Sequence, residues 1–342
     1  MDEQLADLVF EGGGVKGIGL AGAFAQLEQR GYRPRCVAGT SAGAITAALV
    51  AAGYTGQELV KAVEEMPFEQ FCDEPRLHLL GPIAEVAELL SKRGLHSGNF
   101  FLQWMREMLA AKGKRTFGDL RNPAAPDNAK QQHLLQVIAS DLTEHSMLVL
   151  PRDAQLLGIE PDDLEIALAV RMSMSIPIFF DAVIQQGADR RKHMIVDGGM
   201  LSNFPIWLFD APPGQAPRVP TFGMLLVAPN QEDPLVPQPP PATKHGDGLP
   251  SPIGYVKALA DTMMQAHDRM YVQQADYART ITISTCGVTT TDFGIQPPKV
   301  QELLQSGRTA ADQFLQTWDF QKYIARFRAG AQAPTRRATA LA

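Results

Sequence analysis

The chain has 342 residues, 45% of them hydrophobic and 20% charged, which is enough apolar material for a substantial core and excludes a largely disordered chain. Its 31 basic and 37 acidic side chains leave a net charge of −6, so no global attraction to nucleic acid is expected. The 3 cysteines, Cys36, Cys72 and Cys286, lie far apart and form no CxxC pair, which argues against a disulfide framework or a zinc site.

In chain order, residues 5–10 read as a strand and 11–14 as a glycine turn. Residues 15–30 read as a helix, with Leu20, Phe24 and Leu27 on one face and Gly31 ending it. A short apolar strand at 36–39 runs into Thr40-Ser41-Ala42-Gly43. An alanine-rich helix follows to Ala52. This strand-turn-helix unit, used twice, points to an α/β sheet with parallel strands. Residues 55–120 read as irregularly helical, with one helix at 83–90 and another after Ser97, a candidate N-cap. Strands follow at 136–139 and 147–150, then a helix from Asp162-Asp163 to about Met172, closed by Pro177. Met194-Ile195-Val196 reads as a buried strand, and 222–227 as another. Prolines at 229, 234, 237, 239, 240, 241, 250 and 252 mark a surface loop. Beyond it lie a long helix at 253–275, a strand at 280–284, a helix at 300–318 and, from 329 onward, a tail expected to be disordered.

Three motifs carry chemistry. Gly39-Thr40-Ser41-Ala42-Gly43 matches G-x-S-x-G between a strand and a helix. A nucleophilic serine needs that sharp turn, with small neighbours and a helix N-terminus aimed at developing negative charge. The other reading is a tight turn with an incidental serine. Gly12-Gly13-Gly14-Val15-Lys16-Gly17 can be parsed as a dinucleotide fingerprint. About 20 residues on, however, Arg33, Arg35 and Cys36 stand where an acidic ribose ligand belongs. A donor site for an anion, built from glycine N–H groups with Lys16 nearby, fits better. Asp197-Gly198-Gly199 ends a strand at the sheet edge where ligands of open α/β sheets bind, or is an ordinary Asp-Gly turn. None of the 7 histidines (78, 96, 133, 145, 193, 245, 267) follows a compelling strand end, so a Ser41–Asp197 dyad is the alternative to a triad. A carboxylate of ordinary pKa is a poor base, and burial would have to raise it.

In chain order, 12–17, then 39–43, then 197–199, these motifs resemble the patatin-like phospholipase family. So do Val170 to Pro177, Phe179-Phe180 before the D-G-G strand and Asn203-Phe204-Pro205 after it. The resemblance covers roughly 5–210. It implies a three-layer α/β fold with a mostly parallel central sheet and helices on both faces, as a single domain over 5–325. It also implies a lipid acyl hydrolase of phospholipase A or lysophospholipase type. Ser41 would be nucleophile, Asp197 general base, and the N–H groups of Gly12, Gly13 and Gly14 the oxyanion hole, chiefly Gly13 and Gly14. Lys16, Gly17, Gly39, Gly43, Gly198 and Gly199 would support them, with no metal and no cofactor. Lys16 stands where many relatives have arginine, which keeps the charge and loses the bidentate geometry.

The expected substrate is a phospholipid or another lipid ester, with peripheral membrane contact and no nucleic acid. A dormant lipid-binding protein that needs an activator is the competing reading, with the proline-rich loop as a gate. An oxidoreductase is a distant third. The cluster Phe100, Phe101, Trp104, Met105, Met108 reads as an ordinary core face rather than a membrane or acyl surface, and the same holds for Met263, Met264, His267 and Met270. Arg326, Arg328, Arg336 and Arg337 read as a solvated tail rather than a lipid-head site. The acidic start lacks a basic n-region, and no apolar run approaches membrane-spanning length. A cytoplasmic protein, free or peripheral at membranes, is therefore expected, with export by a route without a cleaved signal left open.

Overall fold

The computed structural model describes residues 4–71, 94–123, 131–212, 215–229 and 274–328. Ten strands are described: β1 Gln4–Phe10, β2 Tyr32–Thr40, β3 Gly94–His96, β4 Leu135–Asp141, β5 Ser146–Leu150, β6 Ile178–Phe180, β7 Val183–Gln186, β8 Lys192–Asp197, β9 Thr221–Val227 and β10 Thr280–Ser284. Eight form one sheet in the order β10-β9-β1-β2-β4-β8-β7, with β5 also on β4. β3 and β6 make a separate pair. The run β10-β9-β1-β2-β4 is parallel throughout, while β5 and β8 lie antiparallel to β4. The sheet is thus mixed and mostly parallel, as expected. β9 and β10 follow the proline-rich segment in the chain yet lie beside β1 in the same sheet.

Strand alternation builds two cores. Ala6, Leu8 and Phe10 of β1, Val137 and Ala139 of β4, and Phe222 and Met224 of β9 face one side. Val9, Ala38, Ile138 and Leu225 face the other. The first face carries most of the described helices, among them α1 (Ile18–Gln29), α2 (Ala42–Ala51) and α3 (Gly56–Glu64). Among the described residues the second face is covered by a thinner layer, the segment from Phe204 to Phe209 with Tyr277 beside it.

Several boundaries differ from the sequence expectation. The helix expected from residue 15 opens as a 3₁₀ turn, Gly14–Gly17, because Gly14 sits at φ +55° and cannot start an α-helix. β2 starts four residues earlier than expected, at Tyr32. Pro34, which lacks a ladder N–H, is accommodated where the β1–β2 register shifts between Ala6 and Leu8. The helix expected from Asp162 begins at Ile166 instead. Asp162 is spent on Arg121 (2.5 Å) and His133 (2.8 Å). Gly98, not Ser97, is the N-cap of the helix Asn99–Ala110 (φ +66°), and the Arg171 guanidinium occupies the space a side chain would need there. β6 and β7 were not legible as strands. The expected helix at 83–90, most of that at 253–275, the proline-rich loop beyond Pro229 and the tail lie outside the described residues, with His78, His245, His267, Met263, Met264, Met270, Arg336, Arg337 and Cys72. Arg328 is not a solvated tail residue: it donates to Asp210 (3.0 Å).

Candidate active site

The site grows out of one edge of β4. Val137 and Ile138 pair with β5 on one side and with β2 on the other, where Thr40 stands opposite Ile138. Ala139 is the next residue on that second edge, and it pairs with Asp197 of antiparallel β8. The ends of β2 and β8 therefore meet head-on beside Ile138 and Ala139. That meeting puts Ser41, the residue after β2, next to Asp197, the last of β8.

Ser41 is buried and takes φ +53°, ψ −126°, a conformation costly for a side chain. The surroundings hold it there. Its N–H donates to Ser173 Oγ (2.9 Å), and that hydroxyl donates to the Ile138 carbonyl (2.6 Å). Gly39 and Gly43 are required by approach: a Cβ on Gly39 would stand 2.3 Å from the Gly43 carbonyl oxygen, and one on Gly43 would stand 2.2 Å from that of Phe10. The strand, turn and helix can close only without side chains at these two positions. Ser173 carries no motif of its own, and its place in an apolar helix shortly before Pro177 is the local signal for it.

Asp197 has no exposure at all. Oδ1 accepts the Gly199 N–H (2.7 Å). Oδ2 makes no hydrogen bond of ordinary length. Burial pushes the acid up to about 7, against weaker downward pulls from the facing Ser41 hydroxyl and the Gly199 N–H. The Ser41 side chain thus lies close enough to sense the carboxylate without closing a normal hydrogen bond to it. The N–H of Asp197 is fixed to the Ser175 carbonyl (2.9 Å), and buried Arg171 braces that turn through Ser175 Oγ, the Ser97 carbonyl (2.8 Å) and the Asp181 carbonyl (2.8 Å). Gly198 packs so closely on β4 that a Cβ would meet the Ile138 oxygen at 2.2 Å.

The glycine loop closes the site from β1. The Gly12 N–H is already committed to the Asn203 carbonyl (3.0 Å), so it is not a free donor, which corrects its expected place in an anion hole. Its lack of a side chain still matters, since a Cβ would fall 3.1 Å from that of Ser41. Among the described residues the N–H groups of Gly13 and Gly14 make no hydrogen bond, and neither does that of Ala42 at the start of α2. Ala42 was not singled out from the sequence, although orphan N–H groups in a helix's first turn are general. The loop is clamped from two sides: Val15 N–H donates to the Thr290 carbonyl (3.0 Å), and Asn203 Nδ2 donates to the Gly12 carbonyl (3.0 Å) and to Glu11 (3.3 Å). Half-buried Lys16 packs its stem along Gly13, and Gly17 lies against Ala42.

Ser41, Gly14 and Ala42 open on a cleft whose other walls are almost wholly apolar. They include Ile18, Ile45, Leu49, Leu59, Val63 and Ile176. No described histidine lines it. His133 faces Asp162 (2.8 Å), His193 faces Asp141 (2.5 Å), and His96 packs on Phe179. Glu144, Asp189 and His193 come together as possible metal ligands, but Arg191 already pairs with both carboxylates (2.6 and 2.5 Å). Phe101 and Met105 are buried core, as expected of that helix face. Arg35 donates to Asp7 (2.9 Å) and is thereby occupied away from any nucleotide ribose. No helix among the described residues is long and apolar enough to cross a membrane.

A family model for patatin-like phospholipases matches residues 8–210, more than half of the 342-residue chain. Over 314 residues the chain is 37% identical to the uncharacterized protein YqhO of Bacillus subtilis (strain 168), covering 92% of this chain and 99% of that one. The uncharacterized protein R571 of Acanthamoeba polyphaga mimivirus is 23% identical over 212 residues, 61% of this chain and 63% of its own. Among solved structures, VipD from Legionella pneumophila shares the fold with a TM-score of 0.51 at 18% identity, over 91% of this chain and 67% of that one. Motif order, sheet topology and the family match agree: the chain belongs to the patatin-like phospholipases, a family of lipid acyl hydrolases.

Proposed function

We propose that the protein cleaves carboxylic esters of phospholipids or lysophospholipids through a Ser41 acyl-enzyme, with Asp197 as general base. The observation that carries this reading is the buried Asp197 carboxylate, its Oδ2 without a hydrogen bond, raised to about 7 beside Ser41. A base poised near neutral pH is what proton transfer from a hydroxyl requires. Oδ2 takes the Ser41 proton as Oγ attacks the ester carbonyl. The N–H groups of Gly13 and Gly14, with Ala42 as a further donor, receive the oxyanion. Asp197 returns the proton to the departing alcohol oxygen. Water then attacks the acyl-enzyme by the same route and releases a fatty acid. The apolar cleft beside Ser41 suits an acyl chain, and Lys16 near the glycine loop suits an anionic head group. Such a substrate is met at a membrane surface, so peripheral contact belongs to this reading. Residues 5–325 act as one hydrolase domain, since β9 and β10 complete the sheet that carries the motifs.

The test is fatty-acid release from mixed phospholipid vesicles by the wild type and by Ser41→Ala at equal concentration. Release from the wild type alone supports the reading. Equal release from both sinks it, and release from neither shifts the weight to a dormant protein awaiting an activator.

A further inference from the structure

Two cavities meet at one wall. Met66, Phe68 and Phe293 are part of the described wall of the cleft beside Ser41. A second groove, lined by apolar and polar side chains in similar measure, begins on the same three residues and continues over Ile295 and Val300, past Glu64 and Gln301, toward the surface. These side chains are the partition between the two spaces. Phe293 comes from the segment after β10, outside the part of the chain that the family model matches. It is held firmly: its ring stacks on Phe179 (5.0 Å between centroids, 14° between planes) and meets Phe180 edge-on (6.4 Å). The same segment is tied to the glycine loop through the Thr290 carbonyl. The opposing Met66 is half-buried and unbranched, so it yields more easily than an aromatic ring.

We propose that Phe293, with Met66 and Phe68, is the stop that sets how long an acyl chain the Ser41 cleft accepts. This inference rests on the acyl-hydrolase reading above. A chain bound with its ester at Ser41 runs along the apolar walls until it reaches this partition. Each methylene that still finds room inside gains about fourfold in binding, and each that does not is excluded or must displace a packed ring. Removing part of the wall joins the cleft to the outer groove, where Ile295, Pro297 and Val300 offer apolar contact between polar side chains. Longer chains then pass through.

The experiment measures kcat/KM for a series of p-nitrophenyl esters from butanoate to hexadecanoate with the wild type, Phe293→Leu, Met66→Ala and Ser41→Ala. The half-buried Met66 site keeps the test open should Phe293→Leu fold poorly. The expected result is a rise of about tenfold or more in the long-to-short ratio for the wall variants, the equivalent of two methylenes newly accommodated. Phe293→Trp should move the ratio the other way. Profiles that superimpose on the wild type overturn the proposal. So does a uniform rise at every chain length, which would mark the three residues as an entrance. Turnover that survives Ser41→Ala instead tells against the acyl-enzyme reading itself, and it is read from a separate arm.

Discussion

Asp197 decides the chemistry and its pH dependence. A base with a pKa of about 7 is protonated in acid and free above neutrality. We predict that kcat/KM rises about tenfold per pH unit up to about pH 7 and then levels off, in a pH-rate profile that no single histidine substitution abolishes. The same shift has a stability consequence of unusual sign for an aspartate. The folded protein keeps a proton that the unfolded chain releases near its ordinary value of 3.8. Stability is therefore lost as pH rises from about 4 to about 7, by an amount on the order of 4 kcal/mol. Asp197→Asn should nearly abolish turnover. It should also unfold at higher urea than the wild type at pH 8, with the gain gone by about pH 4. A variant less stable than the wild type at pH 8 would mean that the carboxylate is not desolvated as described.

Elements matter through what they hold in place. The helix Ile166–Ser173 ends in a hydroxyl that ties the strained Ser41 backbone to β4. Ser173→Ala removes two buried hydrogen bonds, and each leaves a backbone group unpaired at a cost of about 1–3 kcal/mol. We expect kcat to fall at least tenfold with KM little changed, because the nucleophile is misplaced while the cleft is intact. Steady-state kinetics alongside thermal unfolding would separate that outcome from simple loss of fold. Packing of α1 against the helix Pro297–Thr317 is the second case. A Cβ at Gly22 would stand 2.0 Å from the Leu304 carbonyl oxygen, and one at Gly307 1.9 Å from that of Gly19. The two backbones touch. Gly22→Val should force them apart and cost about 1–3 kcal/mol or more in a denaturant melt. A neutral result would show that the contact is slack.

At the scale of the molecule, the site is a junction of distant segments. Asn203, just after Asp197-Gly198-Gly199, reaches back across 191 positions to the glycine loop through the Gly12 carbonyl, and also to Glu11. Asn203→Ala should lower both the melting temperature and kcat, since the glycine N–H groups lose their fixed aim. An active, fully stable variant would assign that positioning to Thr290 alone.

Much of this was legible in the chain. Glycines at 39 and 43 around Ser41, the glycine run at 12–14 and Asp197-Gly198-Gly199 were visible because a tight turn admits few residue types. The strands at 5–10, 222–227 and 280–284 were visible because their apolar residues sit on buried parallel strands. Other features were decided only by the tertiary structure. The start of β2 was hidden, since Arg33-Pro34-Arg35 reads as loop until β1 lies beside it. The helix at Ile166 was displaced because Asp162, a fair N-cap by type, finds Arg121 and His133 across space. That Gly12 spends its N–H on Asn203 while Gly13 and Gly14 keep theirs follows from a contact 191 residues away. The wall at Phe293 depends on a segment folding back over the cleft. Local sequence dictates which residues tolerate a turn and which alternate in a strand, because those constraints act within a few bonds. Which donors remain free, how far a carboxylate is dried, and where a cleft ends depend on partners that only the folded chain brings together.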